Sequence, residues 1–316
     1  MRRVFFGVLA AAVSIAVLSS GCAAPVQPHQ PVGPTGPSPG CGKTSRGKGV
    51  ERSERVDVDG ARRRYLITVP PQHRPGTTDP VPLVLDFHGL IEGMVGTHPF
   101  ATQFSSTAVA EGSAVAFPIG SNGGFNWDVS PQERNPDLRF IDVLVDHLGE
   151  TLCIDRSRVY ITGLSNGAAM TSMLMCMRSG TFAAAAPVAG ILDLCEWSGR
   201  SVPFVTFHGT ADSILPYSLF AATPRAIATE YGCDPSPSVE TLQPDPDPTT
   251  RGSITRTTWD CAAVGSAAES YVIQRGGHSW PGSEFFGWIV GIVGPTATSL
   301  DATEVIWEFF SRHRLP

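Results

Sequence analysis

A serine lies between two glycines where residues 163–167 read G-L-S-N-G, directly after the β-branched run 159–162. This G-x-S-x-G pattern is typical of a sharp turn that presents a nucleophilic serine between a strand and a helix. Glycines are expected there because strand and helix approach too closely for a side chain, and because the serine backbone is strained. The pattern predicts a nucleophile at Ser165. An ordinary strand-turn-helix corner is the alternative, since Gly and Ser are common residues.

A serine hydroxyl needs a general base, and the base needs a third group that orients it. After a serine turn of this kind, the acid and then the base follow in loops after later strands. Asp212 ends the motif H-G-T-A-D after the predicted strand 202–207, and His278 lies in G-G-H-S-W-P-G after the predicted strand 270–273. We therefore predict Ser165, Asp212 and His278 as nucleophile, acid and base. A turn-forming Asp and a solvated His are the alternatives for each residue alone.

The turn after the apolar run 81–87 fits a different role. An oxyanion hole takes one backbone N–H from the residue after the nucleophile, here Asn166, and another from the loop after an earlier strand. His88 and Gly89 form such a loop, and Gly89 permits a tight approach. We expect the second donor to be the N–H of Leu90 or of a neighbouring residue. The other histidines lack a supporting strand-end context, lie in the N-terminal tail or precede the acid: His29, His73, His98, His147, His208 and His313.

The elements that would position these residues alternate between strands and helices. The predicted strands are 64–69, 81–87, 114–118, 159–162, 183–188, 202–207 and 270–273. Apolar residues at helical spacing predict a helix over 140–152 with Asp137 as its cap, and the sequence 298–301 resembles a capping box that opens a final helix. This alternation predicts a doubly wound, mostly parallel α/β sheet. No long insertion interrupts it, so we expect no large lid domain.

Taken together, the strand-His-Gly loop, G-L-S-N-G, H-G-T-A-D, G-G-H-S-W-P-G and the ending D-A-T-E-V-I-W-E-F-F resemble the secreted polyhydroxybutyrate depolymerase and feruloyl esterase family. The resemblance covers about residues 56–313. It implies an α/β-hydrolase that cleaves carboxylic esters through an acyl-enzyme, with Ser165, Asp212 and His278 at the family's catalytic positions. The sequence departs from the family pattern at two positions: Asp86 stands where an apolar residue is usual, and Ala168 stands where a glycine is common. Leu90 also stands where a Cys is frequent.

Substrate contacts are suggested by aromatic residues near the predicted site. Trp127, Trp280 and Tyr217 are expected to wall an acyl or aromatic pocket, and covering the core is the alternative for each. The unusually apolar segment 285–294 is predicted to line the acyl side or to contact a polymer or lipid surface. Burial under the last helix is its alternative.

The N-terminus indicates export. Residues 1–21 resemble a bacterial lipoprotein signal, in which Cys22 is lipidated and becomes the mature N-terminus; Ser19 departs from the usual Leu. A plain secretory signal is the alternative. Residues 22–45 are rich in Pro and Gly and predict an extended tether, which leaves residues 46–316 as the catalytic domain.

Six cysteines remain after Cys22, and an even number in an exported protein predicts three disulfides among 15 pairings. The family pattern and the spacing suggest Cys233–Cys261. Cys176–Cys195 and Cys41–Cys153 are then the remaining pairs.

Composition limits the function further. The chain has 316 residues and a formal net charge of −6, without a basic cluster, which argues against nucleic-acid binding. No histidine or carboxylate spacing indicates a metal site, and no cofactor is implied. We expect a monomer outside the cytoplasm, lipid-anchored to the cell membrane or secreted, acting on esters that include polymeric and aromatic ones. The alternatives are an acyltransferase or a peptidase with the same triad, and a non-catalytic surface binding lipoprotein.

Overall fold

The apolar runs of the sequence form the centre of one twisted sheet. The computed structural model describes residues 32–43, 52–194, 200–242, 252–262 and 266–316. Within them the strands are β1 (Arg52–Val58), β2 (Ala61–Thr68), β3 (Val81–Phe87), β4 (Ala114–Pro118), β5 (Ile154–Leu164), β6 (Ala184–Val188), β7 (Phe204–Gly209), β8 (Ser238–Leu242), β9 (Ile254–Trp259) and β10 (Ala268–Ile273).

The strand order is β1-β2-β4-β3-β5-β6-β7-β10-β9-β8. The six central strands, from β4 to β10, are parallel, and each edge carries an antiparallel pair. The sequence did not predict β1, β8 and β9, because these edge strands carry mostly exposed or half-exposed side chains. The predicted mostly parallel, doubly wound α/β sheet is confirmed.

Helices cover both faces of the sheet. They are α1 (Glu92–Val95), α2 (His98–Thr102), α3 (Phe104–Ala110), α4 (Pro136–Thr151), α5 (Asn166–Met177), α6 (Thr223–Glu230), α7 (Glu284–Gly287), α8 (Val290–Val293) and α9 (Ala302–Ser311), with a short 3₁₀ helix at Tyr217–Leu219. Alternate residues of β3 point into two different apolar clusters: Leu83 and Leu85 pack with α4 and α5, and Val84 packs with α3 and α9. Both faces of β3 are therefore buried, as its continuous apolar sequence predicts.

Two predicted helix caps were placed incorrectly. The side chain of Asn135, not Asp137, accepts from the first backbone N–H groups of α4. Asp137 instead lies inside the first turn, where its carboxylate pairs with Arg63. The cap of α9 is Asp301, the last residue of the predicted capping box, because its side chain accepts the N–H groups of Thr303 and Glu304.

Part of the predicted tether packs on the domain. The hydroxyl of Ser38 donates to Leu152 O at 2.7 Å and accepts from Ile154 N at 2.9 Å. The disulfide Cys41–Cys153 fixes the same segment to the amino end of β5. The prediction of an extended tether through residue 45 is therefore wrong for residues 32–43, because this segment finds backbone partners at the amino edge of the sheet.

The structure also contains the predicted disulfide Cys233–Cys261. Cys176 is disulfide-bonded, and its predicted partner Cys195 lies outside the described residues. The predicted signal segment 1–21 and Cys22 lie outside them as well.

Candidate active site

Ser165 forms the turn between β5 and α5. Its backbone has φ 58° and ψ −116°, a strained conformation for a residue with a side chain. A Cβ added to Gly163 would lie 2.6 Å from Phe87 O, and one added to Gly167 would lie 2.0 Å from the same atom. The two glycines are thus required by the close approach of β3, as the sequence pattern predicts. The side chain of Ser165 is half-buried at the carboxyl edge of the sheet.

Asp212 lies in the turn after β7, at the same edge. Its Oδ1 accepts the N–H groups of Ile214 and Leu215 at 2.9 and 2.8 Å. Its Oδ2 lies 2.7 Å from His278 Nδ1 and 3.3 Å from His208 Nε2. Burial alone would raise the pKa of Asp212, but the hydrogen bonds from the two imidazoles outweigh burial and lower it. Asp212 is therefore a carboxylate at neutral pH.

His278 follows β10 and is buried. Its backbone N–H donates to Val293 O at 2.5 Å, and the N–H of the preceding Gly277 donates to Pro295 O at 2.6 Å. A Cβ added to Gly277 would lie 2.1 Å from Val293 O. The C-terminal end of the apolar segment 285–294 thus supports the backbone of the predicted base, a role that the sequence did not indicate.

The bond to Asp212 uses one nitrogen of the His278 ring. Because Asp212 is an acceptor, Nδ1 carries the proton, and Nε2 remains to accept one. Within the described residues no hydrogen bond joins His278 Nε2 to the Ser165 hydroxyl. The Ser165 turn and the loop that carries Asp212 both lie against Gly190, since a Cβ added to Gly190 would lie 2.9 Å from Ser165 O and 3.5 Å from a Leu215 methyl. Catalytic hydrogen bonds are often long until substrate binds.

The loop after β3 lies against the Ser165 turn. His88 Nε2 accepts from Gly120 N–H at 3.0 Å, so its Nδ1 carries a proton and donates to Gly89 O at 2.8 Å. Burial lowers the pKa of His88 to about 4, which keeps this ring neutral. The indole N–H of Trp127 donates to His88 O at 3.0 Å. His88 therefore supports the loop and does not act as a base.

The backbone N–H groups of this loop divide into used and unused donors. Gly89 N–H donates to Glu92 Oε2 at 2.6 Å, and Ile91 N–H donates to Phe125 O at 2.7 Å. The N–H of Leu90 meets no acceptor in the part of the chain that the structure describes. Asn166 is the first residue of α5, where backbone N–H groups have no partner within the helix. Leu90 and Asn166 thus remain the candidate oxyanion donors.

The predicted substrate-contacting aromatics differ in exposure. Trp127 and Trp280 are each 1% exposed, and the indole N–H of Trp280 donates to Thr303. Both indoles are therefore enclosed and cover the core, which was the alternative to the expectation that they wall an acyl or aromatic pocket. Tyr217 is half-buried, with its ring centroid 5.6 Å from that of His208.

The sequence did not predict that three charged side chains near the site interact: Asp86, His98 and Glu92. Asp86 is the penultimate residue of β3 and is fully buried, with its carboxylate bonded to His98 and Thr102. His98 is bonded in turn to Glu92. One signal was available in the sequence: a carboxylate inside a continuous apolar strand must find a partner, because an unpaired buried charge is costly.

Exposed apolar side chains concentrate around this edge. Among the described residues, every large exposed apolar side chain except Val32 and Val239 belongs to a segment that follows the carboxyl end of β3, β4, β7 or β10. These residues are Leu90, Ile91, Met94, Val95, Phe100, Phe125, Ile214, Leu219, Trp288, Val290 and Ile292. Clusters of exposed apolar side chains often mark surfaces that bind apolar ligands, other proteins or membranes. We call this set the apolar rim.

The described residues contain no group of three or more His, Cys, Asp or Glu side chains placed to hold a metal ion. None of their helices combines the length and the apolar character needed to cross a membrane.

Known proteins similar to this chain include a family of peptidases and several esterases. The prolyl oligopeptidase family matches residues 109–213, a stretch that contains Ser165 and Asp212 and ends before His278. The chain is 26% identical over 279 residues to feruloyl esterase C from Emericella nidulans, covering 86% of this chain and 90% of that protein. The same figures describe the similarity to a protein named probable feruloyl esterase C from Aspergillus niger.

Among solved structures, acetyl xylan esterase from Aspergillus awamori superimposes with a TM-score of 0.58 at 16% identity. The match covers 76% of this chain and 98% of that chain. At this identity the likeness concerns the fold, and the fold of the chain is that of the α/β-hydrolases.

Proposed function

We propose that this protein is an exported serine esterase that forms an acyl-enzyme on Ser165. The named relatives support the reaction class, and the chain is an esterase with the α/β-hydrolase fold. The observation that carries the finer proposal is the 2.7 Å bond between His278 Nδ1 and Asp212 Oδ2, at the sheet edge that carries the Ser165 turn. It provides a base for a hydroxyl that would otherwise be a poor nucleophile.

In the proposed mechanism, the Ser165 hydroxyl attacks the ester carbonyl carbon and its proton moves to His278 Nε2. Asp212 stabilises the imidazolium that forms. The backbone N–H groups of Leu90 and Asn166 bind the developing oxyanion, each contributing about 10²–10³ in rate. His278 then protonates the leaving alcohol, and water repeats the sequence on the acyl group, which regenerates the Ser165 hydroxyl.

The apolar rim supports esters with an apolar or aromatic acyl part. Trp288 is 83% exposed and Ile292 is 70% exposed, both in the segment after the proposed base. Phe286 and Val293, in contrast, are 2% and 6% exposed, so these two residues fix the apolar segment to the core while Trp288, Val290 and Ile292 face solvent. An open apolar surface beside the nucleophile suits acyl groups that are bulky or belong to a polymer.

Export and anchoring form the second part of the proposal. Two disulfides join described residues, and disulfides persist in oxidising compartments. We propose that Cys22 is lipidated. Gly33 N–H donates to Gly180 O near the amino end of β6, so the tail reaches the domain at the edge opposite Ser165. An anchor on Cys22 would then leave the site facing away from the membrane. Processing that globomycin blocks supports this; unchanged membrane retention of Cys22→Ala contradicts it.

The activity is tested with a fluorophosphonate probe and p-nitrophenyl esters of several acyl lengths. Ser165→Ala is expected to abolish labelling and hydrolysis, whereas the matched control Ser311→Ala, at the end of α9, keeps both. Labelling of Ser165→Ala, or absence of labelling in the wild type, would contradict the proposal; the latter favours a binding protein. Faster transfer to added alcohols than hydrolysis would identify an acyltransferase, and faster cleavage of peptide amides than of esters a peptidase.

A further inference from the structure

Three charged side chains lie together under the loop that carries Leu90. His98 Nε2 lies 2.8 Å from Asp86 Oδ1, and His98 Nδ1 lies 3.0 Å from Glu92 Oε2. The side chains of Asp86 and His98 are 0% and 2% exposed, and that of Glu92 is 13% exposed. We call Asp86, His98 and Glu92 the loop-supporting triad.

Both ring nitrogens of His98 face carboxylates, so both must donate, and the ring is an imidazolium. Burial alone would lower the pKa of His98, but Asp86 and Glu92 outweigh burial and raise it to about 10. His88 is the other titratable group near His98, and it is neutral. The Asp86 carboxylate also accepts the Thr102 hydroxyl at 2.6 Å. The triad is therefore a closed set of charge-assisted hydrogen bonds with no nitrogen left for proton transfer.

The loop-supporting triad is hydrogen-bonded, through Glu92, to the backbone of the loop that follows β3. Glu92 Oε2, which accepts from His98, also accepts the Gly89 N–H at 2.6 Å. A Cβ added to Gly89 would lie 2.9 Å from that same oxygen, so a side chain at this position would displace the Glu92 carboxylate from the Gly89 N–H. Since His98 lies in α2 and Asp86 in β3, the triad connects the sheet to Gly89.

Gly89 is the residue of this loop whose backbone would otherwise rotate most freely, because it has no side chain. Its N–H is held by Glu92 and its C=O accepts from His88 Nδ1 at 2.8 Å. The Gly89 C=O and the Leu90 N–H belong to one planar trans peptide group and point in opposite directions. Holding the C=O and N–H of Gly89 therefore fixes the direction of the Leu90 N–H, the unpaired donor beside Ser165.

We propose that Asp86, His98 and Glu92 are positioning residues that orient the Leu90 N–H toward the oxyanion. The inference rests on the proposed ester hydrolysis at Ser165. None of the three residues is assigned contact with the substrate. Because an oxyanion donor acts mainly in the transition state, loss of the triad lowers kcat much more than it changes KM.

The test uses the full-length protein with Glu92→Ala and Glu92→Gln, measured with p-nitrophenyl acetate. We expect Glu92→Ala to lower kcat about 10²-fold with KM within about threefold, and to weaken phenylboronic acid, a tetrahedral analogue, by a similar factor. Glu92→Gln keeps an oxygen that can accept the Gly89 N–H and is expected to restore most of kcat. The matched control is Asp155→Asn, which disrupts a partly buried ion pair with Arg158 at the opposite edge; it lowers Tm and leaves kcat unchanged.

A second measurement separates this inference from the proposed function. Amide hydrogen exchange of the segment 87–95 is expected to accelerate in Glu92→Ala and not in Asp155→Asn, whatever the enzyme hydrolyses. Unchanged exchange in Glu92→Ala, or a kcat loss that equals the loss of folded protein, would overturn the positioning role. Absence of fluorophosphonate labelling in the wild type would instead overturn the esterase proposal, and the exchange result would still decide whether the triad holds the loop.

Discussion

The pair Asp212–His278 and the pair Asp86–His98 lie at the same carboxyl edge of the sheet, and they differ in what surrounds the imidazole. Asp212 contacts His278 at 2.7 Å, and Asp86 contacts His98 at 2.8 Å. His278 has one carboxylate, so its second nitrogen can accept a proton. His98 has two carboxylates and is fixed as an imidazolium. The group next to the second ring nitrogen therefore decides whether such a pair can transfer a proton or can only support the structure.

The same comparison extends to the carboxylates. Asp212 accepts from two backbone N–H groups as well as from its imidazole partner, so it remains ionised without His278. Asp86 has His98 and the Thr102 hydroxyl as partners, and it lies in the core of the sheet. Removing His98 would leave Asp86 with one neutral donor in a buried position. The surroundings of His278 thus allow its ring to change charge, whereas the surroundings of His98 keep its ring protonated.

Breaking the first pair is expected to have the largest effect on activity. Asp212→Asn should lower kcat by about 10⁴, because the amide no longer selects the tautomer with Nδ1 protonated or stabilises the imidazolium. The measurement is kcat with p-nitrophenyl acetate, and circular dichroism checks the fold. A loss of only tenfold would mean that His278 does not depend on Asp212.

Breaking the second pair is expected to lower kcat less than Asp212→Asn does, and to change how stability depends on pH. The pKa of His98 is raised from 6.5 to about 10 in the fold, so its protonation stabilises the protein fully below pH 6.5 and this contribution is lost as pH rises through about 10. In Asp86→Asn only Glu92 still raises that pKa, so the loss should occur at lower pH.

Urea denaturation at several pH values between about 6 and 10 measures this shift. The free-energy difference between wild type and Asp86→Asn should be largest near pH 6 and should shrink as the solution becomes alkaline. A difference that is constant with pH would mean that the charge of His98 does not contribute to stability.

The smallest effect is expected from removing the Thr102 hydroxyl, which donates a hydrogen bond to Asp86. Thr102→Val removes one hydrogen bond to the Asp86 carboxylate and should lower the free energy of unfolding by about 1.5–3 kcal/mol. Because both contacts of His98 remain, kcat should stay within about twofold. A larger loss of activity than of stability in this variant would show that Thr102 has a role beyond supporting Asp86.

The sequence indicated the first pair and not the second for a physical reason. Asp212 and His278 each follow a predicted strand, in motifs whose order matches a serine turn. Asp86 and His98 are linked only through the packing of β3 against α2, which no local pattern records. Asp86 was noticed as a polar residue in an apolar run, and the need to pair it was the clue to His98.

The fold shows the same division between local and tertiary information. The buried strands β3 and β4 were predicted with their observed bounds, since a fully buried strand is apolar throughout. The edge strand β8 consists of exposed side chains and has no such pattern. The cap at Asn135 was missed because Asp137, two residues later, has an equally suitable side chain and is instead held by Arg63.

The most direct test of the account is to trap the acyl group on its proposed nucleophile. Wild type and Asp212→Asn are mixed with p-nitrophenyl acetate, quenched in acid within milliseconds to seconds, digested with trypsin and analysed by mass spectrometry. We expect an acetyl group on Ser165, in the tryptic peptide Val159–Arg178, and we expect it to form much more slowly in Asp212→Asn. An acetyl group on another residue, or ester hydrolysis without any covalent intermediate, would contradict the proposed mechanism.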